Sequence, residues 1–499
     1  MFSYLRSGFK DLKAVKITYF GRKITAERFL SDIIRTAGYI QNEIKGGSVG
    51  IALPNIPEAP IAFYAANAAG FSANLIHPRI GSEGLKETIK NTDTRLIFIY
   101  GELYKKCEKE LSGTGVKIVV CNPSGYMRKL FGFFASFAES PTRATKFSHI
   151  LKNEYVFEER KKDETSAAAY IHSGGTAGKP KTVVLSDFAI NNLAESVIKG
   201  VYGEREVEKE AVMLMALPLF HGFGLGVCAH TVIPRAAVVL MPKFKARAAA
   251  KLIKRYKITH LAGVPAMYRK LLSDKAFGGD LSFIKEVFCG GDRLPLKLKE
   301  EFDDFLEKHG SKASISEGYG LTETTTVFSL NRDGAPGSQG KPLPGNEAEI
   351  KGSSGQILPY GEAGELYVKT AASMSGYLND PEGTAEVMKD GWIKTGDIAS
   401  TDPEGRVYFK DRAKRTLKIG AVNVFPAETE EAINSLPEVE ESVVARITRN
   451  GKPAAKAFIV LKKDVCGSPK LAEKIRRAVA EKLTEYSVPR EIEFVEKIV

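Results

Sequence analysis

Apolar and polar positions alternate between two signatures along the first third of the chain. Gly47 to Leu53 (GSVGIAL) is a short apolar run that stops at Pro54, which predicts a buried strand. Pro57 to Gly70 is rich in alanine and closes at a glycine, which predicts a helix. Ser82 stands where a helix cap belongs, with a helix running to about Asn91, after which Leu96 to Tyr100 (LIFIY) and Val116 to Cys121 (VKIVVC) repeat the strand signature. Apolar strands separated by helices predict a largely parallel sheet covered on both faces, an α/β fold.

From Tyr126 to Ala138 the pattern changes. Met127, Leu130, Phe131, Phe134 and Phe137 fall on one helical stripe beside Arg128 and Lys129. The weightier reading is a helix packed against its own domain, and the other is a place on a membrane surface or at the mouth of an acyl channel.

Ala167 to Ile171 again predicts a strand, and it runs into YIHSGGTAGKPKTVVLS, from Tyr170 to Ser186. The turn carries Gly174, Gly175 and Gly178, hydroxyls at Ser173 and Thr176, and cations at Lys179 and Lys181. Glycines let main-chain N–H groups approach phosphate oxygens, hydroxyls add donors and lysines balance charge, so the loop suits a polyphosphate. It is not the P-loop of kinases and GTPases. That motif needs Gly-Lys-Ser/Thr opening a helix, whereas Lys179 precedes Pro180, which disfavours helical geometry at the residue before it.

Composition narrows the picture without choosing a function. A chain of 499 residues exceeds one ordinary core, so two or more domains are expected. With 43% hydrophobic and 26% charged residues it reads as a globular protein. The net charge of +12 favours anionic partners such as nucleotides, but zinc-ligand spacing and RNA-binding signatures are lacking, so nucleic acid is not an expected partner. Five scattered cysteines fit reduced thiols in the cytoplasm better than a disulfide framework. Neither a signal segment nor an apolar run long enough to span a bilayer is evident.

The phosphate-loop run resembles that of the adenylate-forming superfamily, which includes acyl-CoA synthetases, aryl-CoA ligases, luciferase and peptide-synthetase adenylation domains. Gly175, Thr176, Gly178, Lys179, Pro180 and Lys181 match its usual form, while His172, Ser173, Gly174, Ala177, Thr182 and Asp187 depart from it. LPNIPEAPIAFYAANAAG is also similar to the corresponding early segment. Further blocks follow in the superfamily's order. LPLFHGFGLG centres on His221, which the resemblance places near the carboxylate as a positional or gating group. IKEVFCGG ends in Gly290 and Gly291, with Asp292 beyond, and implies one wall of the nucleotide and acyl pocket. GYGLTE supplies Tyr319 to stack on adenine beside Gly320, Thr322 as a hydroxyl to phosphate, and Glu323 as a hard oxygen for Mg²⁺. WIKTGD supplies Asp397 for the ribose hydroxyls, and Arg412 in KDRAKR faces ribose and phosphate.

The resemblance implies a large N-terminal domain of layered α/β sheets plus a β-barrel-like subdomain (residues 1–411), and a small mobile α+β domain (412–499). Lys414 matches the hinge, and Lys418, Gly420 and Asn423 match positions that enter the site for thioester formation, with Ala421 where a second glycine is common. The implied reaction is ATP-dependent activation of a carboxylic acid, fatty or otherwise hydrophobic, as acyl-AMP, followed by transfer to CoA. The alternatives are an acyl-AMP ligase that loads a carrier protein, and a catalytically weak acyl or nucleotide sensor. Amino-acid adenylation is disfavoured, since no aspartate stands near His221 to hold an α-ammonium group. The superfamily's catalytic lysine, in Pro-x-Thr-x-x-Gly-Lys, would fall just past Ile498. Lys497 is too early to be it, and loss of such a donor would cost roughly 10²–10³ in rate by analogy with an oxyanion-hole donor.

Overall fold

The apolar run GSVGIAL has a direct explanation in the computed structural model, which describes residues 1–127, 144–160, 163–173, 181–203, 205, 211–419, 422–449 and 452–498. Its strand, Ser48–Ala52, is buried at every position because helices cover both faces of the sheet it occupies. The helix Glu58–Ala68 is likewise buried throughout, and its alanines let it lie close to the strands. Gly70, just beyond, takes φ +88°, the left-handed conformation that ends a helix at little cost for glycine. Ser82 is not a cap. The helix is Ser82–Asn91 with Gly81 at its N-cap, and its hydrogen-bond ladder opens with the Leu85 N–H donating to the Gly81 carbonyl.

Two large sheets form the body. One has eight strands, in the order Gly376–Tyr377, Lys181–Ser186, Ala167–Ser173, Ser72–Leu75, Ser48–Ala52, Thr94–Tyr100, Lys117–Cys121, Thr145–Lys146. It is parallel except where Lys181–Ser186 pairs antiparallel with its two neighbours. The other has nine strands, and Val212–Met215, Ala237–Leu240, His260–Gly263, Glu286–Cys289 and Ile315–Leu321 form its parallel centre. A buried cluster reaching from Phe2 to Met374 packs between them.

The barrel-like subdomain is a five-stranded antiparallel sheet from Glu347–Lys351 to Val407–Arg412, with its own small core that includes Ile350, Leu366, Ile393 and Val407. After Arg412 the chain enters a third kind of layer. The hairpin Leu417–Ile419 and Val422–Val424, the helices Pro426–Asn434 and Pro469–Lys482, and a three-stranded sheet share a separate core that includes Val444, Ile459 and Ile475. This is the small α+β domain.

Candidate nucleotide and acyl site

The strand Ala167–Ser173 and the strand Lys181–Ser186 form the two arms of the glycine-rich turn, with Ser173 opposite Lys181 in register. Gly174, Gly175, Thr176, Gly178, Lys179 and Pro180 lie outside the described residues. The arms beneath them are held by His172, whose ring nitrogens meet Asn74 Oδ1 at 2.7 Å and Thr182 Oγ1 at 3.0 Å. Desolvation lowers its pKa to about 4, so the ring is a neutral strut at ordinary pH. The stripe expected from Tyr126 to Ala138 also lies largely outside the described residues. At its start, Tyr126 is buried and donates to Asp32 Oδ2 at 2.7 Å.

Lys181 turns its ammonium over the ring of Tyr377, 4.3 Å from the centroid, and stands 3.6 Å from the Asp380 carboxylate. Tyr377 in turn donates to Glu323 Oε1 at 2.8 Å. The end of the phosphate-loop motif and the candidate metal ligand are thus joined through one tyrosine. Sequence reasoning missed Tyr377. The signal was slight, a Gly-Tyr two residues before the Asn-Asp-Pro turn. Glu323 is not on an open loop: it sits in a single 3₁₀ turn, Thr322–Thr324, directly after the strand Ile315–Leu321. The backbone beyond is strained, with φ of +60° at Thr325 and +152° at Thr326, sparsely populated geometries costing of order 1–3 kcal/mol each. Thr325 is fully buried, and its hydroxyl donates to the Ala372 carbonyl at 2.6 Å, which holds that conformation.

Tyr319 and Asp397 meet in the same place from different sheets. The Tyr319 hydroxyl donates to Asp397 Oδ2 at 2.6 Å, and Arg412 Nη1 lies 2.9 Å from Oδ1. Oδ1 is buried and takes no directed hydrogen bond among the described residues, so the contact with Arg412 is one of charge. Burial raises the pKa of Asp397, against the opposing pull of Arg412 and Tyr319. Gly320 follows Tyr319 at a register shift, where a Cβ would come within 1.4 Å of the Thr326 carbonyl oxygen. Only glycine lets the two strands approach so closely.

Gly290 and Gly291 end the strand Glu286–Cys289, and Gly291 takes φ +80°. Gly291 stands with Gly318, Tyr319 and Gly320 in a wall that two cavities share, and Gly290 faces one of the two. On one side is a cleft of about 1070 Å³, lined by Asp292 and Asp397 from the large domain, by Arg412 at the domain boundary, and by Glu428, Glu431 and Lys482 from the small domain. On the other is a largely apolar cavity of about 120 Å³. Asp292 is exposed and accepts from the Arg293 N–H at 2.8 Å. Arg293 reaches across the cleft to Glu431. Behind it Glu317, also missed in the sequence, is buried, and desolvation pushes its carboxyl up to about 7.

His221 lies beside Phe220, and its ring carries a pKa lowered by desolvation and then by His77. Among the described residues no carboxylate bonds to it, which leaves it without the partner of a nucleophilic triad. The π-helix Phe223–His230 follows directly, a geometry common at functional sites. Lys414 is exposed in the turn after Arg412. Lys418 and Asn423 face one another across the small domain's hairpin, both exposed, and neither lines the cleft; Gly420 and Ala421 are outside the described residues.

The site thus holds a polar cleft lined by the buried Asp397, the Glu323 carboxylate tethered by Tyr377, and an adjoining apolar cavity. The chain is 30% identical to the long-chain-fatty-acid–CoA ligase of Bacillus subtilis (strain 168), over 96% of this chain and 88% of that one. The fold is similar to that of ATP-bound MatB from Rhodopseudomonas palustris, with a TM-score of 0.87 at 22% identity, covering 100% of this chain and 95% of that one. It is also similar to that of a benzoate CoA ligase from Burkholderia xenovorans LB400, with a TM-score of 0.85 at 23% identity, covering 99% and 96%. The model of the AMP-binding enzyme family matches residues 7–378 and that of the AMP-binding enzyme C-terminal domain matches 428–499, and the chain belongs to this family.

Proposed function

We propose that this member of the AMP-binding enzyme family joins a hydrophobic carboxylic acid to coenzyme A at the expense of ATP. It is an acyl-CoA synthetase, an AMP-forming acid–thiol ligase. The acid's carboxylate attacks the α-phosphorus of ATP and pyrophosphate leaves. The CoA thiol then attacks the mixed anhydride and AMP departs.

The observation that carries this reading is Asp397, a buried carboxylate with one oxygen lacking a directed donor, lining a polar cleft that shares its Gly291, Gly318, Tyr319 and Gly320 wall with an apolar cavity. In the bound state its two oxygens accept the ribose hydroxyls, Arg412 moves its charge toward ribose and phosphate, and the Tyr319 ring lies against adenine. Gly290, Gly291 and Gly320 supply flat backbone beside it, and Asp292 lies at the rim. Ser173, Gly174, Gly175, Thr176, Gly178 and Lys181 cradle the polyphosphate, with Thr322 adding a hydroxyl. His221 positions the acid's carboxylate.

Among the described residues no group of three or more acidic, histidine or cysteine side chains could cage a metal ion. Mg²⁺ does not need such a cage, since it keeps several waters and takes one or two carboxylates plus substrate phosphates. Glu323, with Oε1 held by Tyr377, is the carboxylate that would hold it. The ion would supply charge neutralisation on the phosphates. The rest of the first step is positioning and fixed donors, because little acid or base chemistry is required. For the second step the small domain turns about Lys414 and brings Lys418 and Asn423 to the acyl-adenylate.

The test has two parts. Acid-dependent exchange of labelled pyrophosphate into ATP is expected, and AMP release is expected to depend on CoA. Exchange that ignores added acids would remove the activation step, and AMP release stimulated only by a carrier protein would move the acyl group to that acceptor.

A further inference from the structure

The apolar cavity carries more information than its presence. It opens at the glycine wall and runs along one face of the nine-stranded sheet. Gly263 and Cys289 are neighbours at the site end of their strands, while His260 pairs with Glu286 and Met213 at the other end. Three residues along a strand span roughly 10 Å. The π-helix and the turn after it repeat that direction: Phe223 lies against Gly290, Val227 follows, and Thr231 and Arg235 come last, in the turn. The helix Asp187–Tyr202 forms the third side through Val197, Val201 and its final residue, Tyr202.

The far end is polar. The Tyr202 hydroxyl hydrogen-bonds with His260 Nε2, and His260 Nδ1 meets Thr259 Oγ1 at 2.7 Å, so the pair is held from behind. Arg235 also lines the cavity, but its guanidinium is 2.7 Å from Glu195 and 2.6 Å from the Tyr4 hydroxyl, which already engage the charge. The space between the ends is about 120 Å³. An engineered protein cavity of about 150 Å³ takes up benzene, so this volume holds one ring or an aliphatic chain of like bulk.

Resting on the acid-activating role stated above, we infer that the substrate is a compact hydrophobic monocarboxylic acid, of the bulk of benzoate or hexanoate, and that Tyr202 and His260 set this limit. A long alkyl chain would have to displace the Tyr202–His260 pair. A second carboxylate on the substrate would meet an arginine already neutralised.

The inference is tested by kcat/KM for ATP–pyrophosphate exchange on the full chain with benzoate, hexanoate, decanoate and palmitate. Benzoate or hexanoate is expected to exceed palmitate by at least ~10-fold, the scale on which a pocket discriminates by fit. Tyr202→Ala removes the stop and is expected to raise kcat/KM for decanoate relative to hexanoate by a similar factor. Val227→Phe fills the cavity from the side and is expected to depress benzoate turnover while ATP still binds. Palmitate equal to or better than benzoate in the unaltered protein would overturn the size limit and leave the activation reading standing. A size profile unchanged in both variants would overturn the role of this cavity. Exchange with none of the acids would take the activation reading down, and the inference with it.

Discussion

Tyr377 is the side chain on which the polar half of the site turns. Its ring carries the Lys181 ammonium and its hydroxyl fixes one oxygen of Glu323, so a single residue sets both the cation near the phosphate loop and the carboxylate proposed to meet Mg²⁺. Partners behind a metal ligand commonly contribute 10- to 100-fold to affinity or activity. Tyr377→Phe keeps the ring under Lys181 and removes only the hydroxyl. It is expected to raise the Mg²⁺ concentration for half-maximal pyrophosphate exchange by roughly tenfold, with the KM for acid little changed. A magnesium titration that superimposes on that of the unaltered protein would detach Tyr377, and with it Glu323, from the ion.

At the scale of elements, the strand Ile315–Leu321 brings three separate pieces of chemistry to one edge, and its register shift at Tyr319 and Gly320 is what lets it do so. With 1.4 Å between a would-be Cβ and the Thr326 carbonyl oxygen, Gly320→Ala has to push the two strands apart. It is expected to destabilise the protein by roughly 3 kcal/mol or more, as overpacking and backbone clash together do, and to abolish exchange activity. Thermal unfolding followed by circular dichroism checks the first, and a melt within a degree of the unaltered protein would show that the strands have room to spare. The same strand marks how far the sequence can be read. The apolar run around Ile51 was legible because its meaning is local: a strand covered on both faces needs apolar residues at every position. GYGLTE, Asp397 and Arg412 were read only through a resemblance and its order along the chain, since no local pattern of apolar and polar residues marks them. Tyr377, Glu317 and the Asn74 partner of His172 were not legible, because each acquires its role from a neighbour far away in the chain, and no local pattern marks such a pairing. Ser82 misled for a smaller reason: Gly81 already supplies the cap, so the serine enters the helix.

For the molecule as a whole, the two domains touch through Arg293 and Glu431, with Glu317 buried behind that contact. The Glu317 carboxyl accepts from the Leu294 N–H and from Gln339, each at 3.2 Å, and its pKa stands at about 7 against an ordinary 4.5 because burial disfavours the charge. A carboxyl raised in this way makes the fold hold a proton that the unfolded chain releases. Its stabilising contribution is therefore fully present below 4.5 and is lost as the pH climbs through about 7. Glu317→Gln cannot ionise, so its melting temperature is expected to fall less steeply over that window than that of the unaltered protein. Parallel slopes in the two would remove Glu317 as the source of the dependence.

The contact of Arg412 with Asp397 has a consequence for the way a nucleotide would bind. The aspartate that would receive a sugar already has a cationic companion, so nucleotide arrival is a substitution and not the filling of a vacant, hydrated spot. A weakly held diol cannot evict that companion, whereas a molecule that also brings phosphates offers the guanidinium a new anion to follow. If Asp397 takes the ribose as proposed, selectivity for the intact nucleotide over free ribose would follow from this ion pair alone.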